Sequence, residues 1–350
     1  MKRTKQILLS LVLTVCLILS FTACSSPNKE DSASADPKSS VSEQVDADSS
    51  AQEEQSNSGD AFPFELVTDN EAVVTFTHVP ERVLAANPNA GEQLMALGLG
   101  DKIIATSYNN ALVAEPFRAK YESKRSLTTS EQPSLEVVLD LDPDFIYGRS
   151  SAFGQKGIAD HPTLEQNGIM SLASIEGYKL GADVEDVYQD FYNLGRIFQV
   201  EDRAKAIVSE MQSRISVVED VVKDAEPIKV FNFDMEMEGG AYTPGNNFTS
   251  KLIRHAGGIN VFENLEKTWN TVSWEAVVEA DPDIIIINNY GTTTLEEKIK
   301  QLTTNPALSG LKAIQNQNFI VVTLPEVFAS SRIADTIEKF AEGFHPDLFA

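Results

Sequence analysis

A ten-residue pattern occurs twice in this chain, 139 positions apart. The first copy runs Ser134-Leu135-Glu136-Val137-Val138 and, three residues later, Asp142-Pro143-Asp144-Phe145-Ile146. The second runs Ser273-Trp274-Glu275-Ala276-Val277 and then Asp281-Pro282-Asp283-Ile284-Ile285. Internal repetition constrains a fold more than any composition does, because each copy must become the same structural unit. Two copies at this separation describe two similar lobes rather than a solenoid. Two lobes of one chain enclose a cleft, and clefts between domains are where small ligands bind.

Each copy reads as helix, turn and buried strand. Ser is a helix N-cap, and Glu two residues on lies in the first turn, where the helix dipole favours an anion. The aspartate before proline is expected to end the helix, since a residue in that position is pushed out of the α region. The apolar runs Phe145-Ile146-Tyr147 and Ile284-Ile285-Ile286-Ile287 are strands buried on both faces, as in a parallel sheet. The pairs Asp142/Asp144 and Asp281/Asp283 have the look of acid–base carboxylates. Their repetition at helix-to-strand turns argues for a structural part. No nucleophile elbow, phosphate loop or zinc-hydrolase motif is present, so no catalytic residue is assigned and the chain is not expected to be an enzyme.

Lys2, Arg3 and Lys5 precede an apolar stretch from Ile7 to Phe21. This is a signal peptide over 1–23, too short to span a bilayer as a helix. It ends in Phe21-Thr22-Ala23-Cys24, which resembles a bacterial lipobox with Phe21 in place of the usual leucine and Cys24 as the lipidated residue. Residues 24–60 are rich in Ser, Asp, Glu, Ala and Gln, and cannot bury enough apolar surface to order themselves. They form an acidic tether with a flexible-chain reach of roughly 30–35 Å. The implied location is the outer face of the cell membrane, the lipid being the only contact with the bilayer.

Only two cysteines exist, Cys16 and Cys24, so the mature body has no disulfide. The formal net charge is −24 and no basic cluster appears, which excludes a nucleic-acid partner. The four histidines, His78, His161, His255 and His345, show no close metal-ligand spacing, so no metal site is assigned and a naked-ion carrier is not expected.

The body divides into an N-terminal lobe (61–180), a bridging helical segment (181–225) and a C-terminal lobe with a terminal helix (226–350). The expected fold is α/β, with two Rossmann-like lobes on mainly parallel sheets joined by one long helix. Phe64–Val67 and Ala72–Phe76 form a hairpin. Tyr108 sits past one strand, and the loop containing Arg149 and Phe153 sits past another, where open α/β sheets bind ligands. Apolar spacing is helical over 184–197 and 202–222, the second being long enough to cross between lobes.

With those residues in place, the chain resembles the iron-complex and cobalamin substrate-binding lipoproteins of ABC importers, whose lobes are joined by a rigid helical bridge. The resemblance runs from Phe64 to Phe349, with 82–350 as the binding domain. It rests on Pro80-Glu81-Arg82-Val83, Glu92 through Gly100, both repeats, Ala256 through Phe262, and His345-Pro346-Asp347. It implies that Glu136 and Glu275 pair with arginines of a two-fold permease dimer, itself served by an ATPase. It also implies that Tyr108, Tyr242 and Trp269 line the ligand cleft and that Arg332 meets ligand oxygens; loop position alone adds Arg149 and Phe153. Ser130 stands where the cobalamin-binding relative has a further tryptophan, which counts against cobalamin. The expected function is therefore capture of an iron(III)–siderophore complex by a monomer without resident cofactor. A corrinoid or haem is the alternative cargo. A surface lipoprotein without a transporter is the remaining class.

Overall fold

The computed structural model describes residues 62–350. The expected signal peptide, Cys24 and tether lie outside the described residues. The first lobe opens with an antiparallel hairpin, β1 (Phe64–Val67) and β2 (Val73–Phe76). A parallel sheet follows from β3 (Val83–Ala85), β4 (Ile103–Thr106), β5 (Arg125–Ser126), β6 (Phe145–Gly148) and β7 (Met170–Ala173), in the order β5-β4-β3-β6-β7. The second lobe contributes β8 (Ile228–Phe233), β9 (Met235–Met237), β10 (Gly240–Pro244), β11 (Gly258–Asn260), β12 (Trp269–Val272), β13 (Ile284–Asn288) and β14 (Phe319–Val322). Four of these form a parallel sheet, β11-β8-β13-β14, and three an antiparallel one, β12-β10-β9.

The two parallel sheets superimpose in topology. The run β4-β3-β6-β7 in the first lobe has the same connectivity as β11-β8-β13-β14 in the second, and the repeated segments supply the equivalent strands β6 and β13. Those strands are buried along almost their whole length, which explains their unbroken apolar runs.

The Asp-Pro-Asp elements act as joints. Asp144 accepts backbone N–H bonds from Glu81 (2.7 Å) and Arg82 (2.9 Å), while its own N–H donates to the Arg82 carbonyl. Asp283 does the same with Lys229, accepting its N–H at 3.1 Å and donating to its carbonyl at 2.8 Å. Each aspartate therefore pins the strand it precedes to the entry of β3 or β8. The serines cap as the sequence predicts, Ser134 accepting from the Val137 N–H and Ser273 from the Ala276 N–H. The pre-proline aspartates leave the right-handed helical region as expected; Asp281 is the C-cap of its helix, whereas the first helix ends at Leu139, short of Asp142. Both aspartates lie in the left-handed region (φ 51° for Asp142 and 47° for Asp281), a conformation aspartate tolerates better than most residues. Asp144→Ala is expected to lower unfolding stability by about 1–3 kcal/mol, the loss of two hydrogen bonds to a charged acceptor, and Asp283→Ala by less. Chemical denaturation measures both, and ligand affinity should be unchanged in each.

The helices Val184–Phe198 and Glu201–Val222 connect the lobes. The second buries Ala204, Val208, Met211, Ile215, Val218 and Val222, spaced by alternating fours and threes along one face. Near its start the Arg203 Nε donates to the Ala96 carbonyl of the first lobe (2.9 Å). Further along, Arg214 binds Glu338 of the Ile333–Phe344 helix in the second lobe (2.9 Å). One continuous apolar core passes from Phe145 and Tyr147 through Phe191 and Ile215 to Phe340 and Phe344. The lobes thus share packing along this side and part only on the other.

Candidate functional site

In a sheet of this winding, the crevice lies where successive connections leave in opposite directions, outside the carboxyl ends of the strands. That point falls between β3 and β6 in the first lobe and between β8 and β13 in the second. The cleft between the lobes is built from these ends. Asn87 and Asn89 follow β3, Tyr108 follows β4, and Arg149 and Ser151 follow β6. Facing them, Asp234 follows β8, Tyr290 follows β13 and Phe328 lies beyond β14. Tyr242 on β10 and Trp269 on β12 complete the wall, their rings stacked at 5.4 Å and 18°. The cleft volume is about 250 Å³.

Tyr108 holds a left-handed backbone (φ 53°), and its N–H is anchored on the Thr128 hydroxyl at 3.0 Å. A bulky residue in this region is strained, and such strain collects at binding sites. Arg149 lines the cleft, but its guanidinium is engaged. It donates to both carboxylate oxygens of Glu176 (3.1 and 2.9 Å) and lies 3.8 Å from the centroid of the Phe328 ring, reaching from the first lobe to the second. A second cavity of about 300 Å³ lies beyond Arg149 and shares Ser151 and Trp269 with the first.

Of the six expected cleft residues, Tyr108, Arg149, Tyr242 and Trp269 line this space. Two do not. Phe153 is buried within the first lobe, its ring stacked on His161 at 4.3 Å. The short turn Ser150–Ala152 reverses the chain and sends Phe153 back towards the sheet. Arg332 binds Glu92 bidentately (3.0 and 2.9 Å), joining the second lobe to the helix Pro88–Ala96 of the first. Burial raises the Glu92 carboxyl to about 7, with Arg332 and the Ala114 N–H drawing it back down.

The second lobe's floor escaped the sequence reading. Asp234 is almost wholly buried, accepting from the Asn288 amide (2.8 Å) and the Tyr290 hydroxyl (2.7 Å), with Lys298 donating to its backbone carbonyl (2.7 Å). Burial pushes the Asp234 carboxyl up, against the pull of its two donors, and pushes the Tyr290 hydroxyl up as well. The carboxyl-end rule that selected Arg149 applies equally to Tyr290, and would have found it.

Ser171, His161 and Asp69 form a hydrogen-bonded chain, Ser171 Oγ to His161 Nδ1 at 2.7 Å and His161 Nε2 to Asp69. It resembles a nucleophilic triad in order only. All three residues are no more than 3% exposed, so no substrate reaches the hydroxyl. The chain ties the hairpin turn to β7. Among the described residues, no group of three or more His, Cys, Asp or Glu is placed to hold a metal ion. Glu136 and Glu275 are exposed at equivalent first turns of their helices.

Residues 83–325 match the model of a family described as periplasmic binding protein. A cobalamin-binding protein of Halobacterium salinarum is 24% identical over 302 residues, covering 81% of this chain and 75% of that protein. The uncharacterized ABC transporter substrate-binding lipoprotein YvrC of Bacillus subtilis is 23% identical over 297 residues, covering 83% and 88%. A crystal structure of a periplasmic binding protein from Veillonella parvula shares the fold with a TM-score of 0.74 and 26% identity, over 81% of this chain and 97% of that one.

Proposed function

Because the chain belongs to the periplasmic binding protein family, a non-catalytic component of transport, we propose that it is the lipid-anchored substrate-binding protein of an ABC importer and that its cargo is a corrinoid of the cobalamin class. The observation that carries the choice of cargo is the state of the two arginines. Arg332 is withdrawn onto Glu92, and Arg149, the only cation among the described lining residues, is neutralised by Glu176. An anionic ferric catecholate or the two carboxylates of haem would enter without a free counter-charge and next to Asp234. Desolvating such charges unpaired is strongly unfavourable. A corrinoid presents neutral amides and apolar ring faces, which suit a wall of Tyr108, Tyr242, Trp269, Tyr290 and Phe328. Ser130, at the position where the resemblance puts a further tryptophan in the cobalamin-binding relative, is exposed and outside the lining, and Tyr290 and Phe328 add aromatic faces to the wall instead.

The cobalamin-binding relative from Halobacterium supports the same cargo. A volume of about 250 Å³ is below the ~300–1,000 Å³ usual for drug-sized ligands, so the macrocycle enters by an edge and extends towards the adjoining cavity. A neutral ferric hydroxamate is the second reading, since it too needs no cation.

Titration of the purified protein with cyanocobalamin, haem, and ferric hydroxamate and catecholate complexes, followed by tryptophan fluorescence and calorimetry, decides among them. Cyanocobalamin is expected to bind and to quench Trp269. Trp269→Ala should weaken it roughly 10–100-fold, the range of an aromatic anchor at ~1.4–3 kcal/mol. Binding of a ferric complex or haem with no response to cobalamin overturns the corrinoid assignment.

A further inference from the structure

The repeat fixes an equivalence that reaches into the cleft. The Asp144 joint pairs with Arg82 and the Asp283 joint with Lys229. Counting five residues along β3 and β8 from those positions gives Asn87 in the first lobe and Asp234 in the second. Both line the same cleft, and both are nearly inaccessible to solvent in relative area (4% and 1%). Their hydrogen bonding is incomplete in one sense only. Asn87 is the N-cap of the Pro88–Ala96 helix, yet its side chain makes no capping bond, and its Oδ1 has no partner at all. An N-cap asparagine ordinarily spends that oxygen on the helix N–H groups. Asp234 accepts one bond on each oxygen, from Asn288 and from Tyr290, which leaves acceptor capacity on both. Buried acceptors without donors are rare and call for a partner.

We infer that Asn87 and Asp234 form a pair of acceptors, one from each lobe, that recognise N–H donors on the cargo, so that the site selects a ligand edged with primary amides and rejects the same ligand bearing carboxylates. The inference rests on the corrinoid reading and adds the determinant by which a corrinoid is told from its acidic derivatives. Asn288 and Tyr290 hold the Asp234 carboxylate in place, and Lys298 fixes its backbone from behind. An amide N–H arriving at Asp234 meets a preorganised anion; a carboxylate there meets a like charge in a low-dielectric setting and leaves the acceptor unpaired.

The test compares cyanocobalamin with its three propionamide-derived monocarboxylic acids by calorimetry. Wild-type protein is expected to bind at least one of the acids about 10-fold or more weakly than the parent. In Asp234→Asn that gap should close to within about 3-fold. In Asn87→Asp, where the N-cap position tolerates the new carboxylate, the gap should widen or a second acid should become disfavoured. Thermal melting of each variant within a few degrees of wild type confirms folding. If both variants keep the wild-type ranking of parent and acids, or if wild type binds all four alike, the acceptor pair is overturned while the corrinoid reading stands. If wild type binds none of the four, the corrinoid reading fails and takes this inference with it.

Discussion

Arg332→Ala is expected to destabilise the folded protein by about 3–5 kcal/mol at pH 8, the loss typical of breaking a buried ion pair from one side. The Glu92 side chain is wholly inaccessible, and its counter-charge comes from the other lobe. Removing the guanidinium strands a carboxylate between the lobes. The pH dependence has a definite sign. Burial raises Glu92 from its ordinary 4.5 to about 7, so its contribution to stability is fully present below about pH 4.5 and declines as pH climbs through 7. Without Arg332 to pull it down, the carboxyl rises further, and the variant's deficit should be largest at pH 8 and shrink towards pH 5. Glu92→Gln removes the titration and should flatten the wild-type stability profile across the same interval. Thermal and urea unfolding between pH 5 and 8 measures all three proteins. A variant of unchanged stability that binds cargo poorly would return Arg332 to the cleft.

Glu136→Ala/Glu275→Ala is expected to abolish most cargo uptake in whole cells while leaving affinity in solution intact. The two glutamates occupy the same position of the two repeats, exposed in the first turns of their helices. Three residues on from each lies an aliphatic side chain left 39% exposed, Leu139 in one lobe and Val278 in the other. A matched charge and apolar contact on each lobe suits a partner with two-fold symmetry. Each exposed pair contributes only ~0–1 kcal/mol alone, so a single replacement should reduce uptake modestly and the double one much more, through lost register and steering. Uptake by the double variant at the wild-type rate sinks the docking role.

Much of the fold was legible because each repeat carried its own physics. Ser134 and Ser273 cap, the isoleucine run becomes β13, and the heptad-like apolar face of Glu201–Val222 predicts a helix packed along one side. The cleft was half legible. Tyr108, Arg149, Tyr242 and Trp269 follow strands or sit on short ones, where position along the chain fixes position in space. Arg332 was not legible, because its choice of Glu92 over the cleft depends on an acid 240 positions away. Phe153 was misplaced because a three-residue turn decides which way the chain points, and no periodicity reports that. Asp234 was missed because an aspartate after a strand looks like a turn residue until the neighbours that hold it, Asn288 and Tyr290, are brought beside it.

The apolar core that runs unbroken from Phe145 to Phe344 through the connecting helices has a consequence for any attempt to cut the molecule in half. Each half, expressed alone, would expose the greasy surface that the other now covers, although each holds a complete sheet. The internal symmetry therefore belongs to the sheets and their repeated joints, while the flank opposite the cleft is common property that neither half could enclose by itself.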